Sequence, residues 1–290
     1  MQTSEEAKLY ACERTNRCLT AEEAERRLVY FRTQYDGATD QQAKDIWHDQ
    51  IEQIETWRNS GTFKNGEFPR GLDELMLELI EWRALKYAFQ NLETEKSPFK
   101  VHVFFMQWLV GGTYAVFALL GNLVSDHRRD SSLRKLWREV SPFIEQDGAC
   151  TPDEMRHINE QLNGATNRFT NRNSKAILFR NTTIAHNEKN TVVRWDEIDK
   201  DIEILVRIWS IIGAWSSFGL YQPFRTADQA LSGLQPHFDP SELEQLKEKR
   251  KEYLDLVTQW SLNHLHNGQR DPARGIFQKI VTSVQVFPSG

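Results

Sequence analysis

Arg180-Asn181-Thr182-Thr183-Ile184-Ala185-His186 is the stretch on which the reading of this 290-residue chain turns. A permanent cation and a group that titrates near neutrality stand six positions apart, with an amide directly after the cation. The apolar run Ala176 to Phe179 leads in, and the polar turn Asn187-Glu188-Lys189-Asn190 follows. Metal-free cleavage of an RNA strand needs a base for the 2′-hydroxyl proton, an acid for the leaving oxygen and a fixed cation for the charge that builds on phosphate. His186 suits the proton transfers, the planar fork of Arg180 matches phosphate oxygens, and the Asn181 amide can position either. On an ideal helix the six-residue step separates Arg180 and His186 by about 120°. Both reach one phosphate only if the helix ends near Ala185 or if two copies of the motif meet across a two-fold axis.

Working outward, the flanking charge fits a phosphate partner. Between Asn163 and Arg194 the basic residues are Arg168, Arg172, Lys175, Arg180, Lys189 and Arg194, and the one acid is Glu188, in a chain whose formal charge is −5. Arg172, Lys175, Lys189 and Arg194 are therefore candidate RNA-backbone contacts, with the salt dependence such contacts carry. The plainer alternative is a solvated helix face paired with acids elsewhere.

The rest of the chain reads as helices. Thr20 and Glu23 form a capping box for a helix to about Tyr35, and a second amphipathic helix spans Asp40 to Arg58. Gly61, Gly66, Pro69 and Gly71 mark a loop before a helix from Leu72 to about Leu92. Val101 to Val124 is the most apolar run and is long enough to cross a bilayer. His102, Gln107, Asn122 and its glycines dilute it, so a central helix touched on most sides by others is expected. A helix follows Ser132, Pro142 to Cys150 reads as a connection, and Thr151-Pro152-Asp153-Glu154 opens a long polar helix towards Asn173. Ser174 to Ile184 either continues it or forms a separate turn. Asp196 starts a helix with a broad apolar stripe from Ile198 to Ile212, Pro223 to Pro240 is linker-like, and Ser241-Glu242-Leu243-Glu244 caps a charged helix to about His264. The run Ile280 to Val286 fits either an edge strand or a helix end.

Composition agrees with an all-α protein. Only 15 glycines and 9 prolines occur, while nine Trp and sixteen Phe supply large core pieces. The mild acidity excludes a surface that is basic throughout, so any RNA contact must be local. Cys12, Cys18 and Cys150 form no CxxC pair, which excludes a disulfide framework and points to reduced thiols in a cytoplasmic protein. His264-x-His266 lacks a nearby third ligand, so no metal is expected. Asp126-His127 reads as a helix end before it reads as an acid–base pair, and Trp195 and Trp209 read as core. Walker, dinucleotide and G-x-S-x-G motifs are absent, and the first six residues are not a signal peptide.

The arginine, the asparagine after it, the five-residue spacer and the histidine resemble the motif of the HEPN superfamily, most closely its abortive-infection type, over about Pro98 to Tyr221. The resemblance implies a HEPN-type helical bundle with additional N-terminal and C-terminal helices. The expected divisions are 1–95, 96–222 and 223–290. It also implies a metal-independent, cofactor-free endoribonuclease in phage defence or acting as a toxin. Arg180, Asn181 and His186 would be catalytic, the products would carry a 2′,3′-cyclic phosphate and a 5′-hydroxyl, and a homodimer would hold the motif at its interface. An antitoxin or defence partner is implied, and no membrane. The rival readings are a non-catalytic binding or sensor module, and a membrane-associated effector that inserts Val101 to Val124.

Overall fold

The computed structural model describes residues 1–15, 21–59, 71–94, 102–184, 192–217 and 224–271. These residues are all-α. In chain order the helices are α1 (Ser4–Thr15), α2 (Ala21–Gly37), α3 (Gln41–Arg58), α4 (Leu72–Gln90), α5 (Val103–Leu123), α6 (Leu133–Gln146), α7 (Pro152–Asn163), α8 (Lys175–Phe179), α9 (Trp195–Ser217), α10 (Ala227–Ala230) and α11 (Pro240–Leu262). A π-helical turn, Arg180–Ile184, directly continues α8. Among the described residues, β pairing is limited to the isolated bridge between Asn263 and Arg270. His186, Lys189, the loop glycines 61 and 66 and the Ile280 to Val286 run lie outside the described residues.

The chain divides into two compact units, Asn16–Gly71 and the remainder, rather than at 95 and 222. The physical reason is that α4 packs against α5 and α11, so the segments before and after residue 95 share one core. The smaller unit is the α2–α3 pair. Leu28 and Ile54 are its buried centre, with Phe31 and Ile51 beside them. Tyr30, Phe31 and Trp47 form a ring cluster, and Asp40 caps α3 through the Ala43 amide.

In the larger unit α9 is apolar on most sides, and Ile202, Leu205, Ile208, Trp209 and Ile212 are fully buried. It packs against α1, α6 and α11. The small residues Ala7 and Ala11 let α1 approach closely, and they carry little apolar signal in the sequence. The buried arginines Arg83, Arg207 and Arg250 are each matched to a carboxylate. Arg83 on α4 makes two bonds to Asp199 on α9, of 2.8 and 2.7 Å, and the Tyr253 hydroxyl donates to the same carboxylate at 2.9 Å. Glu81 on α4 holds Arg250 on α11 at 2.7 Å. Arg207 on α9 makes two 2.8 Å bonds to Glu154 on α7 and a third, of 3.0 Å, to Asp271. Low-dielectric surroundings make each unmatched charge expensive, so these pairs fix which helix faces meet.

Several elements differ from the sequence expectation. α6 runs through Pro142 to Gln146, because Val140 and Ile144 keep the same buried face on either side of the proline. The polar segment does not reach Asn173 as one helix. Gly164 lies so close to the Glu160 backbone that a Cβ would sit 2.9 Å from its Cα, and the chain folds back, with the Arg168 amide donating to the Gln161 carbonyl at 2.7 Å. Asp239, not Ser241, caps α11, in a reciprocal box with Glu242. The linker-like stretch contains the short, boxed helix α10. α5 is not surrounded: its inner face is buried and its outer face is bare.

Lys86 on α4 is fully buried under α5, where its Nζ donates to the Leu109 carbonyl and to Thr113 Oγ1. Burial lowers its pKa to about 8 from 10.5. Between those values the unfolded chain holds more protons than the folded one, so stability rises with pH through that window, and below it the buried charge costs about 3 kcal/mol. Urea unfolding of the parent at pH 7 and pH 9.5 is expected to show that rise, and Lys86→Met to abolish it while raising stability at pH 7. Arg207→Met is expected to destabilise by about 3–5 kcal/mol at pH 7, because Glu154 and Asp271 lose their cation; a loss below 1 kcal/mol contradicts that account.

Candidate functional site

The motif segment begins at Ser174. Its Oγ accepts the Ile177 amide at 3.1 Å, capping α8, and donates to Asp201 Oδ2 at 2.5 Å. Asp201 is fully buried on α9 and also accepts from Arg168 Nε at 2.6 Å. Burial pushes the Asp201 carboxyl up, and the bonds from Ser174 and Arg168 act in the opposite direction. Ala176 and Ile177 are buried, and the Phe179 ring packs on Phe117 of α5 with centroids 4.8 Å apart. α8 is thus fixed at its start by a buried carboxylate and at its end by a ring contact.

From Arg180 the turn widens to the π form, in which the hydrogen bond spans five residues. The straight-helix geometry used to space Arg180 from His186 therefore does not apply from this point on. Arg180 is half-buried and lies across Gly121 of α5; a Cβ there would come within 2.7 Å of Nε and 3.1 Å of Cζ. Its Nη1 donates to Asn181 Oδ1 at 2.9 Å, and Asn181 Nδ2 donates to Asn171 Oδ1 at 2.7 Å. Thr182 Oγ1 returns to the Leu178 carbonyl at 2.8 Å, whereas Thr183 Oγ1 is buried with no hydrogen-bond partner among the described residues. Arg180 makes no ion pair with a described carboxylate. The arrangement is a guanidinium with a fixed stem, an amide holding one edge of its fork, and a neighbouring hydroxyl with no partner among the described residues.

The candidate backbone contacts divide. Lys175 pairs with Glu197 at 2.6 Å, and Arg194 makes a two-bond pair with Asp196, at 3.0 and 2.9 Å. Both acids are held below the usual carboxylate range, Glu197 chiefly by Lys175 and Asp196 chiefly by Arg194. Arg168 belongs to Asp201. The acids of the first turns of α9 therefore neutralise half of the six cations that the sequence places together. Arg172 is exposed and has no ion pair among the described residues. Lys189 and His186 lie outside them.

Three residues that position the site were not singled out by the sequence reading. Asp201 carried a signal, since it falls in the apolar stripe of α9 between Ile198 and Leu205, where a charge demands a buried partner. Ser174 precedes a short apolar run and fits an N-cap. Gly121 carried none, because a glycine in an apolar helix does not announce which side chain crosses it.

Two other constellations resolve structurally. Asp126 is held by Arg138 at 2.9 Å, and His127 lies 3.6 Å from Asp130. His264 Nε2 lies 3.4 Å from Glu154 and 3.7 Å from Asp271, a spacing metal ligands also show. Here the Arg207 guanidinium already bridges the two carboxylates, and a second cation would meet it at contact distance. Trp209 is core, its indole donating to Asp73 at 2.6 Å. Compared with family models, curated proteins and solved structures, the chain finds no match.

Ser174→Ala removes both the cap and one of the two donors on Asp201. It is expected to cost about 1–2 kcal/mol, and hydrogen exchange of the 177–184 amides is expected to rise more than that of the α9 amides. Equal rises in both would separate Asp201 from the ordering of the motif turn.

Proposed function

We propose that this chain is a HEPN-type, metal-independent endoribonuclease acting in phage defence or as a toxin on cellular RNA. The observation that carries the reading is Arg180: a guanidinium seated on Gly121, held by Asn181, and not neutralised by any described acid. A cation that no described acid neutralises suits an external anion, and its fork suits a phosphodiester. In this reading Arg180 stabilises the phosphorane-like transition state, Asn181 fixes the orientation of Arg180, and His186 moves the proton. The 2′-oxygen attacks phosphorus, the 5′-oxygen leaves, and the products carry a 2′,3′-cyclic phosphate and a 5′-hydroxyl. No cofactor enters. The ion pairs of Lys175 and Arg194 leave Arg172 and Arg180 available among the described residues, with Lys189, outside them, as a third proposed contact, so the contact is short and single-stranded in character. The logarithm of affinity should then fall against the logarithm of salt with a slope of roughly −2.

The same pairing favours a second reading, a binding or sensor module in which the arginine turn recognises an anion without cleaving it. One experiment separates the two. RNA is incubated with the chain in the presence of a chelator. Cleavage that survives the chelator, leaves cyclic phosphate ends and drops at least a hundred-fold in Arg180→Ala and in His186→Ala supports the nuclease; binding without cleavage supports the sensor. Gly121→Ala sharpens the test. A helix-interior alanine gains up to about 1 kcal/mol over glycine, yet its Cβ displaces the Arg180 stem. An unchanged or raised melting temperature with at least ten-fold slower cleavage is expected; full activity would remove the Gly121 seat from the mechanism.

A further inference from the structure

The bare stripe of α5 runs into the arginine turn. Gly121, which Arg180 crosses, stands two turns after Tyr114 on the same helix. Seven steps of about 100° fall roughly 20° short of two full turns, so both positions lie on one line, about 10 Å apart along the axis. Tyr114 is 50% exposed, and Ala118, one turn on, is exposed as well. Gly121 continues that line but is buried, because the Arg180 side chain lies over it. One face of α5 thus presents, in order, an aromatic ring, a step floored by a methyl group, and a guanidinium. Among the described residues the Tyr114 ring has no stacking or hydrogen-bond partner. α5 contains no charged residue, so a strand laid along this face meets no carboxylate from the helix beneath it.

We propose that Tyr114 is the base platform of the arginine site: an unpaired RNA base stacks on its ring while the adjoining phosphate lies on Arg180. The inference rests on the reading of Arg180 as a phosphate contact, and it holds whether that contact leads to cleavage or to binding alone. A ring face and a cation are the two groups with which proteins hold single strands, the ring taking the base and the cation the backbone. Ala118, between them, leaves room for the sugar that a longer side chain would fill. A base inside a duplex is already stacked on both sides and cannot reach the ring. The substrate class is therefore RNA with at least one unpaired nucleotide beside the phosphate on Arg180. Every base has a π face, so Tyr114 fixes position and leaves sequence open. Continuity with Arg180 assigns the occupant. A helix lying on an anionic bilayer uses Lys and Arg beside its apolar face, and α5 has neither.

Fluorescence anisotropy of the full chain tests this with two labelled probes: a 2′-O-methyl oligouridylate, whose blocked 2′-oxygen prevents cleavage, and a ribose-phosphate chain of the same length without bases. Tyr114→Ala, with unchanged helical circular dichroism, is expected to weaken oligouridylate binding by about five-fold or more, the low end of base–aromatic stacking. Tyr114→Trp is expected to bind at least as tightly as the parent, and the base-free chain to bind parent and Tyr114→Ala alike. The salt slope is expected to stay unchanged in Tyr114→Ala and to become shallower by about one in Arg180→Ala, because a ring releases no counterion. Equal oligouridylate affinity in parent and Tyr114→Ala, or an equal loss on the base-free chain, overturns the proposal. If Tyr114→Ala instead changes the sedimentation of the chain, or its pelleting with vesicles of zwitterionic and anionic lipid, while oligouridylate affinity stays the same, the ring belongs to a second copy or to lipid. Cleavage is scored separately, on unmodified cellular RNA. Binding that depends on Tyr114 without cleavage removes the nuclease reading and keeps the platform. Cleavage that survives Tyr114→Ala with an unchanged KM keeps the nuclease and removes the platform. A parent that binds neither probe removes Arg180 as a phosphate contact, and the platform with it.

Discussion

The Asp201 carboxylate is the constraint on which the arginine turn depends. It stands in the apolar stripe of α9 with no exposure to water, and burial disfavours its charge. Two donors offset that cost, the Ser174 hydroxyl and the Arg168 guanidinium, and both come from the segment that leads into α8. Neither donor can leave without stranding a buried acceptor, so the start of α8 has one position on α9. Ser174 then works twice, since the oxygen that donates to Asp201 also accepts the Ile177 amide and so starts the helix. The order of Arg180 follows from the order of the four residues before it.

Charge matching explains why a segment rich in cations presents so few. α9 begins with Asp196 and Glu197, which its positive end favours on general grounds. Those same acids lie within reach of Arg194 and Lys175 and take them out of any external contact. Arg180 lies across Gly121 of α5, and no described carboxylate pairs with it. Net charge along the sequence therefore overstates the field at this surface, and position in three dimensions separates the arginine that serves the fold, Arg168, from Arg180, which no described acid neutralises.

Much of the helical architecture is legible in the sequence for simple reasons. Thr151-Pro152-Asp153-Glu154 combines cap, proline and acids at one start, and the structure begins α7 there. The Ile198 to Ile212 stripe and the Ser132 cap are equally direct. What fails to read is long-range. α1 is held by its alanines, whose burial is a property of α6 and α9 and not of the α1 sequence. Arg83, Glu81 and Arg250 look like solvated charges until their partners, more than a hundred residues away for Arg83 and Glu81, are brought beside them. In the site, Arg180 and Asn181 are visible as a motif, whereas the Gly121 seat and the Asp201 anchor exist only once two distant helices have met. The domain boundary misread at residue 95 has the same origin: a polar stretch signals a turn, and only packing shows that the helices on both sides of it share a core.

α5 joins these observations, because its small residues answer to particular neighbours. By length and hydropathy it is, among the described residues, the helix that would pass for a membrane span, with a third of its apolar window buried. Lipid asks only for apolarity, and it does not explain the positions of the glycines. Gly112 lies under the Trp82 ring, where a Cβ would approach to 2.6 Å, and close to the stem of Lys86; Gly121 lies under Arg180. Both are cut to the shape of particular side chains from α4 and the π turn, as protein packing requires and acyl chains do not. A buried lysine donating to a carbonyl of α5 is a further interaction that belongs to a protein neighbour. These contacts, on opposite sides of the helix, are thus specified residue by residue.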